Sequence, residues 1–345
     1  MKENMNFLEI NTIKEEIKEM MPIRFGQIYQ KDDTFLFKLK QGYYIRVILP
    51  SLIYLSHKKE NINQSGNFAL FLRRRIKGAY VKDVKQLRSE RILYFKLISK
   101  GKVFFLYVEL FSKGNIVLTD EDKIILGAYN KEVRGNSFKK GEKYTLENQN
   151  LNLFELTKKD FEDLFEGKEV FEIIKSGFGK VLAHEITSDE NKSYYEQWQE
   201  VLERERKGLQ YLEEGNVKSF SPVELEYFSD LEKKEFKTLS AALDDITKEF
   251  YDFQNRKKKG LKHSLEQQKK RIGQIDKDVE SHKKKAKFLY HNYQEIDKLL
   301  RQLNSKFKEG GKENLIDFLK SMDIPYKNIN TKEKSLIIEF NNEDD

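Results

Sequence analysis

The sequence predicts an α+β protein with an antiparallel β-rich head, a helical middle part and one long coiled-coil helix that ends in a small tip element. Alternating apolar and polar residues fill roughly the first 150 positions, as in antiparallel strands. Short helical runs follow, and beyond residue 236 apolar residues recur at spacings of three and four, as in a coiled-coil seam. The predicted domains are residues 1–151, 152–235, 236–310 and 311–345.

Composition excludes several classes of protein. Charged residues make up 35% of the chain, which indicates a long solvated helix, while 12% aromatic residues indicate packed cores. The absence of cysteine excludes disulfides and thiolate metal sites, and the five histidines lack metal-ligand spacing, so no metal or cofactor is expected. Without a signal core or an 18-residue apolar run, we expect a soluble cytoplasmic protein that does not contact membranes.

The head is predicted to be an antiparallel unit of six to eight strands with two helices. The helices are expected at residues 8–21, ending at Pro22, and at 68–76, ending at Gly78. The strands are expected at residues 23–29, 34–39, 43–49, 80–86, 91–98 and 103–111, closed by segments 123–130 and 133–144. Tyr80, Lys82 and Val84 should share one face, and the apolar run 103–111 is typical of a strand covered on both faces.

The head carries a basic cluster with aromatic residues between the charges. Arg73, Arg74 and Arg75 lie in a row on the second helix, and the positive charges that follow are Lys77, Lys82, Lys85, Arg88 and Arg91. Phe71, Tyr80 and Tyr94 could stack on unpaired bases, although aromatic residues on strands more often belong to a core.

The helical middle part contains a Gly-x-Gly turn before a helix. Helices are predicted at residues 156–164, 170–175, 179–186 and 191–211. Gly177 and Gly179 would leave backbone N–H groups pointing outward, and Lys180 adds a full positive charge, a combination that suits phosphate. The alternative is a tight inter-helix turn that needs small residues.

The coiled-coil region is strongly basic. One helix is predicted over residues 236–307, followed by a short helix at 315–322 and a strand at 335–340. Residues 253–312 hold eighteen Lys and Arg against seven Asp and Glu, a net charge of +11. The whole chain has a net charge of +7, so the other residues together carry −4. Such an excess of positive charge indicates a helix that binds a polyanion such as rRNA rather than one whose charged face is only solvated.

Three segments together resemble the N-terminal region of the NFACT family, which includes RqcH and NEMF proteins and proteins once labelled fibronectin-binding. The segments are residues 72–86, the pair Glu90-Arg91, and residues 110–120 with Gly114-Asn115-Ile116. Glu90 stands where the family usually has Asp, which lengthens the carboxylate's reach by one methylene.

The resemblance implies a glycosylase-like antiparallel β domain and a helix–two-turn–helix element shared with MutM-type DNA glycosylases. Those enzymes attack through an N-terminal proline and carry a cysteine zinc finger, both of which this sequence lacks. We therefore expect the frame without the glycosylase chemistry. The resemblance also implies a return helix and a C-terminal domain, so the chain is expected to be an N-terminal fragment or a shortened member.

The function implied by the resemblance is RNA binding in ribosome-associated quality control, with no enzymatic activity of its own. The expected partners are the large ribosomal subunit, its rRNA and a tRNA, with alanine tRNA favoured, for mRNA-independent tailing of stalled chains. Residues expected to bind RNA are Glu9, Arg73, Arg74, Arg75, Glu90, Arg91, Arg134, Gly177, Gly179, Lys180, Lys283, Lys284, Lys285 and Lys287. Without the resemblance, Glu90 and Arg91 would be interpreted as a surface salt bridge worth under about 1 kcal/mol.

Two alternatives from other classes stay open at this point. One is a DNA-binding glycosylase-fold protein, which lyase activity on abasic DNA would reveal. The other is a structural homodimer formed through the coiled-coil seam, or a seam covered by a second helix.

Overall fold

A computed structural model of the chain describes residues 1–39, 42–59, 62, 66–133, 135–145, 152–330 and 335–338. The chain divides into two compact units, Met1–Asn255 and Arg256–Asp345. Among the helices in these ranges, none combines the length and apolar character that a bilayer crossing requires.

The β-rich head contains two antiparallel sheets, as the predicted α+β class requires. Its helices are α1 (Phe7–Glu19) and α2 (Asn67–Ile76). The first sheet has the order β1 (Phe25–Lys31), β2 (Thr34–Leu39), β3 (Tyr44–Ile48) and β4 (Leu52–Ser56). The second has the order β5 (Tyr80–Gln86), β6 (Ile92–Ser99), β7 (Lys102–Glu109), β8 (Asn115–Asp120) and β9 (Ile125–Ala128), and a small hairpin joins β10 (Glu132–Val133) to β11 (Asn136–Ser137). Strand β4 was not predicted.

The two sheets and both helices bury one hydrophobic core. Helix α1 contributes Ile10, Ile13 and Ile17 at helical spacing, and all three are fully buried. Helix α2 contributes Leu72 and Ile76. The amphipathic patterns that predicted these helices therefore arise from a shared core rather than from separate packing sites.

The Gly114-Asn115 pair is required by packing between the sheets. A Cβ on Gly114, whose φ is +71°, would lie 2.9 Å from the Leu49 Cβ and the Pro50 Cα. The Asn115 side chain is buried, donates to the Asn130 carbonyl at 3.0 Å and accepts from the Asn130 N–H at 2.9 Å. This part of the sequence motif thus fixes the start of β8 in the sheet.

Two predictions about strand faces were wrong. A β-bulge between Val81 and Asp83 inserts one residue, so Val81 and Val84 are both buried and the predicted grouping of Tyr80, Lys82 and Val84 fails. On β7 the residues from Leu106 onward are buried, but Val103 to Phe105 are only half-buried. That strand is therefore covered on both faces over its second half only.

The middle part combines short helices with a sheet that the sequence analysis missed. The helices are α3 (Lys158–Phe165), α4 (Val170–Ile173), a π-helical turn (Ile174–Phe178), α5 (Gly179–Glu185) and α6 (Tyr194–Glu203). A sheet of order β13-β12-β14 follows, formed by β12 (Gly208–Glu213), β13 (Asn216–Ser221) and β14 (Glu232–Phe236), with a 3-10 turn at Glu226–Phe228. The helix predicted over residues 191–211 is wrong at its end, because Gly208 begins a strand that turns at Glu214-Gly215, both with positive φ.

The single helix predicted over residues 236–307 is divided into three. Helix α7 (Leu239–Asp245) ends at Ile246, and α8 (Thr247–His291) is separated from α9 (Tyr293–Ser321) at Asn292, whose ψ of 17° leaves the helical range. Helix α7 and the first turns of α8 belong to the first unit, where Leu239, Leu243 and Phe250 join the head core. The 45 residues of α8 extend about 70 Å.

The end of the second unit is a small packed element. Helix α9 kinks at Gly310-Gly311, where Gly311 has a φ of +68°. The hairpin β15 (Tyr326–Asn330) and β16 (Ser335–Ile338) packs with the end of α9 around Leu303, Leu315 and Leu319. The predicted strand matches β16 over 335–338, and its last two positions lie outside the described residues.

Candidate nucleic-acid interface

The loop between β5 and β6 holds Glu90 and Arg91, both half-buried. The Gln86 amide donates to the Glu90 carbonyl at 2.8 Å and to the Phe7 carbonyl at 2.9 Å. Arg91 Nη2 donates to the Pro50 carbonyl at 3.2 Å. These bonds fix the loop against the start of α1 and against the β3–β4 turn.

Phe7 connects this loop to the glycine turn before α5. Its ring lies 5.7 Å from Phe178 and 5.9 Å from Trp198 in centroid distance. Phe178 stands between Gly177 and Gly179 and is buried in the aromatic core of the middle part. Both segments expected to contact RNA are therefore connected to Phe7 at the start of α1, the loop through Gln86 and the Phe7 backbone carbonyl and the turn through the Phe7 ring.

Backbone conformation explains the glycines of this turn. Gly177 has a φ of +114° and Gly179 a φ of +75°, and a Cβ at either position would meet nothing within 4 Å. Positive φ rather than lack of space therefore explains both glycines, which agrees with the alternative of a tight turn and leaves phosphate binding a prediction. Both glycines and Lys180 are exposed, and Lys180 Nζ lies 5.7 Å from the Tyr227 ring centroid.

Glu9 is engaged in the start of α1 and is not presented to a ligand. It forms a capping box with Asn6, with bonds of 3.0 Å and 2.8 Å, and an ion pair with Lys2. Its side chain is 1% exposed. Burial thus contradicts the expectation of direct RNA contact and gives Glu9 a structural role.

The three arginines of α2 differ in their surroundings. Arg73 Nε donates to the Ile28 carbonyl at 2.6 Å, and the Arg75 guanidinium stacks 3.9 Å from the Phe71 ring centroid. Arg74 is exposed. Of the three, Arg74 alone is fully presented to solvent, whereas Arg73 and Arg75 support the packing of the helix. Arg134 lies outside the described residues.

The aromatic residues of the head also separate into two groups. Phe71 stacks on Phe68 at 5.4 Å and approaches Gly127, so it belongs to the core. Tyr94 is half-buried on the outer face of the second sheet, and Tyr80 lies 5.9 Å from the Arg24 guanidinium.

The basic blocks of α8 are presented to solvent. All residues from 256 to 287 are exposed, which includes Lys283, Lys284, Lys285 and Lys287. Lys283 pairs with Glu280 at 3.0 Å, an exposed pair that contributes little and can be replaced by phosphate. This segment is therefore an extended cationic surface.

The apolar seam of the same helix is exposed as well. Leu261, Leu265, Ile272, Ile275 and Val279 are 43–64% exposed. If a second copy covers this seam, the molar mass measured by light scattering should rise with protein concentration, and Ile272→Lys with Ile275→Lys should return it to the monomer value. A constant monomer mass up to high concentration would exclude the homodimer.

A buried carboxyl lies beside the β5–β6 loop. Glu109 pairs across the sheet with Ile92, is fully buried, and accepts from the Tyr144 hydroxyl at 2.7 Å. Burial raises the pKa of Glu109 to about 7, although the Tyr144 hydrogen bond lowers it. Glu109 therefore holds its proton more tightly in the folded chain than in the unfolded chain.

This raised pKa predicts a pH dependence of stability. The contribution of Glu109 is fully present below its unfolded pKa and is lost as pH rises through about 7. Relative to Glu109→Gln, the wild type should lose roughly 2–3 kcal/mol of unfolding free energy between pH 4.5 and pH 8. Denaturant unfolding of both proteins across this range measures the difference, and parallel pH profiles would contradict the prediction.

Sequence reasoning missed the residues that position the loop and the turn. Asn6-x-x-Glu9 fits a capping box, a pattern that could have assigned Glu9 correctly. Gln86 and Phe7 gave no such pattern, because their roles depend on contacts between distant segments. In the described ranges, no group of three or more His, Asp or Glu residues is placed to hold a metal ion.

Solved structures with the same fold come from bacterial proteins named for fibrinogen or fibronectin binding. The fibrinogen binding protein from Staphylococcus aureus superposes with a TM-score of 0.60 at 20% identity, over 69% of this chain and 97% of that chain. The N-terminal part of the fibronectin/fibrinogen-binding protein from Streptococcus suis gives 0.62 at 17% identity, over 71% and 100%. At these identities the likeness establishes the fold alone.

Sequence relatives give the family. The archaeal Rqc2 homolog aRqcH of Methanocaldococcus jannaschii is 24% identical over 284 residues, 72% of this chain and 42% of that protein. The ribosome quality control complex subunit NEMF of Homo sapiens is 30% identical over 134 residues, 36% of this chain and 12% of that protein. Each match spans less than half of the relative's length. Because a family model of the NFACT N-terminal and middle domains matches residues 7–333, the chain belongs to the NFACT family.

Proposed function

We propose that this chain is an RNA-binding factor of ribosome-associated quality control that binds the large ribosomal subunit. The observation that carries the proposal is the exposed basic surface of α8, within a region of net charge +11. A cationic surface that follows a rigid helix for tens of ångströms suits a large, folded polyanion such as rRNA. The names of the relatives, which are ribosome quality control subunits, support the same class of partner.

The finer part of the proposal concerns tRNA. The β5–β6 loop, which Gln86 bonds to the Phe7 carbonyl, and the glycine turn, which packs on the Phe7 ring through Phe178, would contact a tRNA on a subunit that still holds peptidyl-tRNA. In this proposal Arg91 pairs with a phosphate or a base edge, and Glu90 either orients the Arg91 guanidinium or accepts a hydrogen bond from a base amine. The glycine turn and Lys180 would approach the phosphate backbone of the tRNA. The chain would recruit tRNA, with alanine tRNA favoured, for tailing without mRNA, and the ribosome would form the bonds.

Arg91→Ala is expected to weaken tRNA binding about tenfold and to leave the head folded, with a lower melting temperature because the bond to the Pro50 carbonyl is lost. The expected change corresponds to one charge-assisted hydrogen bond, about 1.5 kcal/mol. Filter binding of alanine tRNA with a parallel thermal melt measures both effects. Arg24→Ala removes an exposed arginine from the same head outside the loop and should bind normally. Equal affinities of Arg91→Ala and wild type would remove Arg91 from the site.

Sequencing of captured tRNA tests the whole proposal. The chain is immobilised, incubated with large subunits that carry peptidyl-tRNA, and the retained tRNAs are sequenced. Enrichment of one tRNA, strongest on peptidyl-tRNA subunits, is the expected result. Retention of subunits without any tRNA selection would support only subunit binding, and lyase activity on abasic DNA would favour the DNA-binding alternative instead.

A further inference from the structure

The segment that follows β9 covers part of the outer face of the five-stranded sheet. Val133, Phe138 and Tyr144 of the segment after β9 pack over Tyr107 and Val117. Within the part of the chain that the structure describes, this cover does not extend to β5: Tyr94 and Phe105 are half-buried and Ile98 is 38% exposed. The open part is here called the outer aromatic face, formed by Tyr94, Phe105, Ile98, Lys85 and Lys96.

Strand register places a lysine beside each ring of this face. Lys85 on β5 is opposite Tyr94 on β6, and Lys96 on β6 is opposite Phe105 on β7. Both lysines are exposed, and the two ring centroids are 6.2 Å apart. Directly opposed side chains have Cβ atoms about 5 Å apart, so each lysine ammonium can lie beside the aromatic ring on the neighbouring strand.

Electrostatics at this face favour an anionic partner with flat apolar groups. Asp83 pairs with Lys85 at 3.5 Å, an exposed ion pair that phosphate can displace. The Tyr94 phenol is neutral at physiological pH and does not repel phosphate, since its ordinary pKa is about 10 and burial raises it further. An apolar peptide would fit the rings, but the net positive charge left by Lys85 and Lys96 after pairing with Asp83, which lies opposite Lys96, would have no counterpart.

We propose that the outer aromatic face binds unpaired RNA, with bases stacked on Tyr94 and Phe105 and backbone phosphates held by Lys85 and Lys96. Stacking needs splayed bases, so the occupant is a single-stranded segment rather than a helix. The site uses residues distinct from those of the β5–β6 loop and from α8. It can therefore be tested without ribosomal subunits, and its failure would leave the subunit-binding proposal untouched.

Fluorescence anisotropy of labelled decauridylate with the full chain tests this site. Tyr94→Ala is expected to weaken binding at least fivefold, the effect of removing one base–ring stack, and Tyr94→Phe should stay within twofold. Tyr290→Ala removes a ring that is 84% exposed on α8 and controls for stacking elsewhere. The same strand annealed to its complement should not respond to Tyr94→Ala.

Crosslinking of the wild type gives a second measurement that needs no variant. Ultraviolet irradiation of the decauridylate complex should attach uridine to a peptide containing Tyr94 or Phe105. Unchanged anisotropy of a folded Tyr94→Ala protein would overturn the proposal. So would crosslinks confined to other peptides, or a competing apolar peptide that binds this face while RNA does not.

Discussion

Replacing Lys283, Lys284, Lys285 and Lys287 together by glutamine is expected to weaken binding to large ribosomal subunits and to flatten its salt dependence. Each lysine–phosphate ion pair that the substitution removes should lower the log–log slope by about 0.7–0.9, so all four lysines would change it by about 3. At 0.15 M salt this corresponds to a decrease in affinity of about tenfold or more. Glutamine preserves side-chain length and helix propensity, so α8 itself should persist.

A control variant with the same change of charge is available on the first unit. Lys207, Lys218, Lys233 and Lys234 each pair with a carboxylate within 3 Å, so glutamine there removes four charges that are already neutralised locally. Co-sedimentation at several salt concentrations compares the two variants. An unaltered slope for the α8 variant would mean that its lysines face only solvent, and equally weakened binding of both variants would mean that only total charge matters.

Phe178→Ala is expected to lower the unfolding free energy by about 3–5 kcal/mol, the cost of truncating a fully buried phenylalanine. Phe178 is 1% exposed and lies 5.1 Å from Trp198 and 5.5 Å from Phe165 in centroid distance. Trp198 is the single tryptophan of the chain, so its fluorescence reports unfolding of this cluster directly. Since Phe178 anchors the turn between Gly177 and Gly179, tRNA binding should fall with it.

Phe171→Ala gives the matched control. This phenylalanine precedes Phe178 by seven residues but is 60% exposed. Its truncation should change the unfolding free energy by no more than about 0.5 kcal/mol. Denaturant titration followed by Trp198 fluorescence measures both variants. Equal destabilisation of the two would contradict the assignment of Phe178 as the anchor of the turn.

Elements with strong local patterns were predictable from the sequence. Strand β5 has the predicted bounds, and α1 and α2 differ from prediction by one or two residues at their ends. Strand β6 differs from the predicted 91–98 by one residue at each end, and its alternating residues Leu93, Phe95 and Leu97 are all buried. In these segments the spacing of apolar residues matches the face that is buried in the folded chain, and turn residues mark the ends, so the local sequence is sufficient to predict the element.

Other errors have identifiable physical causes. The β12–β13 hairpin was not predicted because it follows α6 within a few residues, and the helical pattern was extended into it. The Glu214-Gly215 pair is the turn signal that would have separated the two. The bulge on β5 inverted a predicted face, since a one-residue insertion shifts every later side chain. The helix breaks at Ile246 and Asn292 could not be predicted from the sequence, because the spacing of apolar residues by three and four continues across both positions.

The residue types of the candidate site were read from the sequence, but their environments were not. Glu90, Arg91, Gly177, Gly179 and Lys180 all lie at or near the surface, and the first two are connected to the glycine turn through Phe7. Glu9 and Arg73 have the chemistry expected of RNA contacts but use it for a helix cap and a backbone carbonyl. The Asn6-x-x-Glu9 pattern could have assigned the cap, whereas the Arg73 contact with Ile28 requires knowledge of a neighbour that is distant in sequence.

Co-sedimentation of the full chain with purified large ribosomal subunits, with and without bound peptidyl-tRNA and over a salt series, is the decisive test of subunit binding. We predict that the chain binds both forms at low salt, binds the peptidyl-tRNA form more tightly, and dissociates with a steep salt dependence that the α8 lysines supply. No binding to either form at low salt would contradict the proposed function, as would binding to bare duplex DNA that matches binding to the subunit.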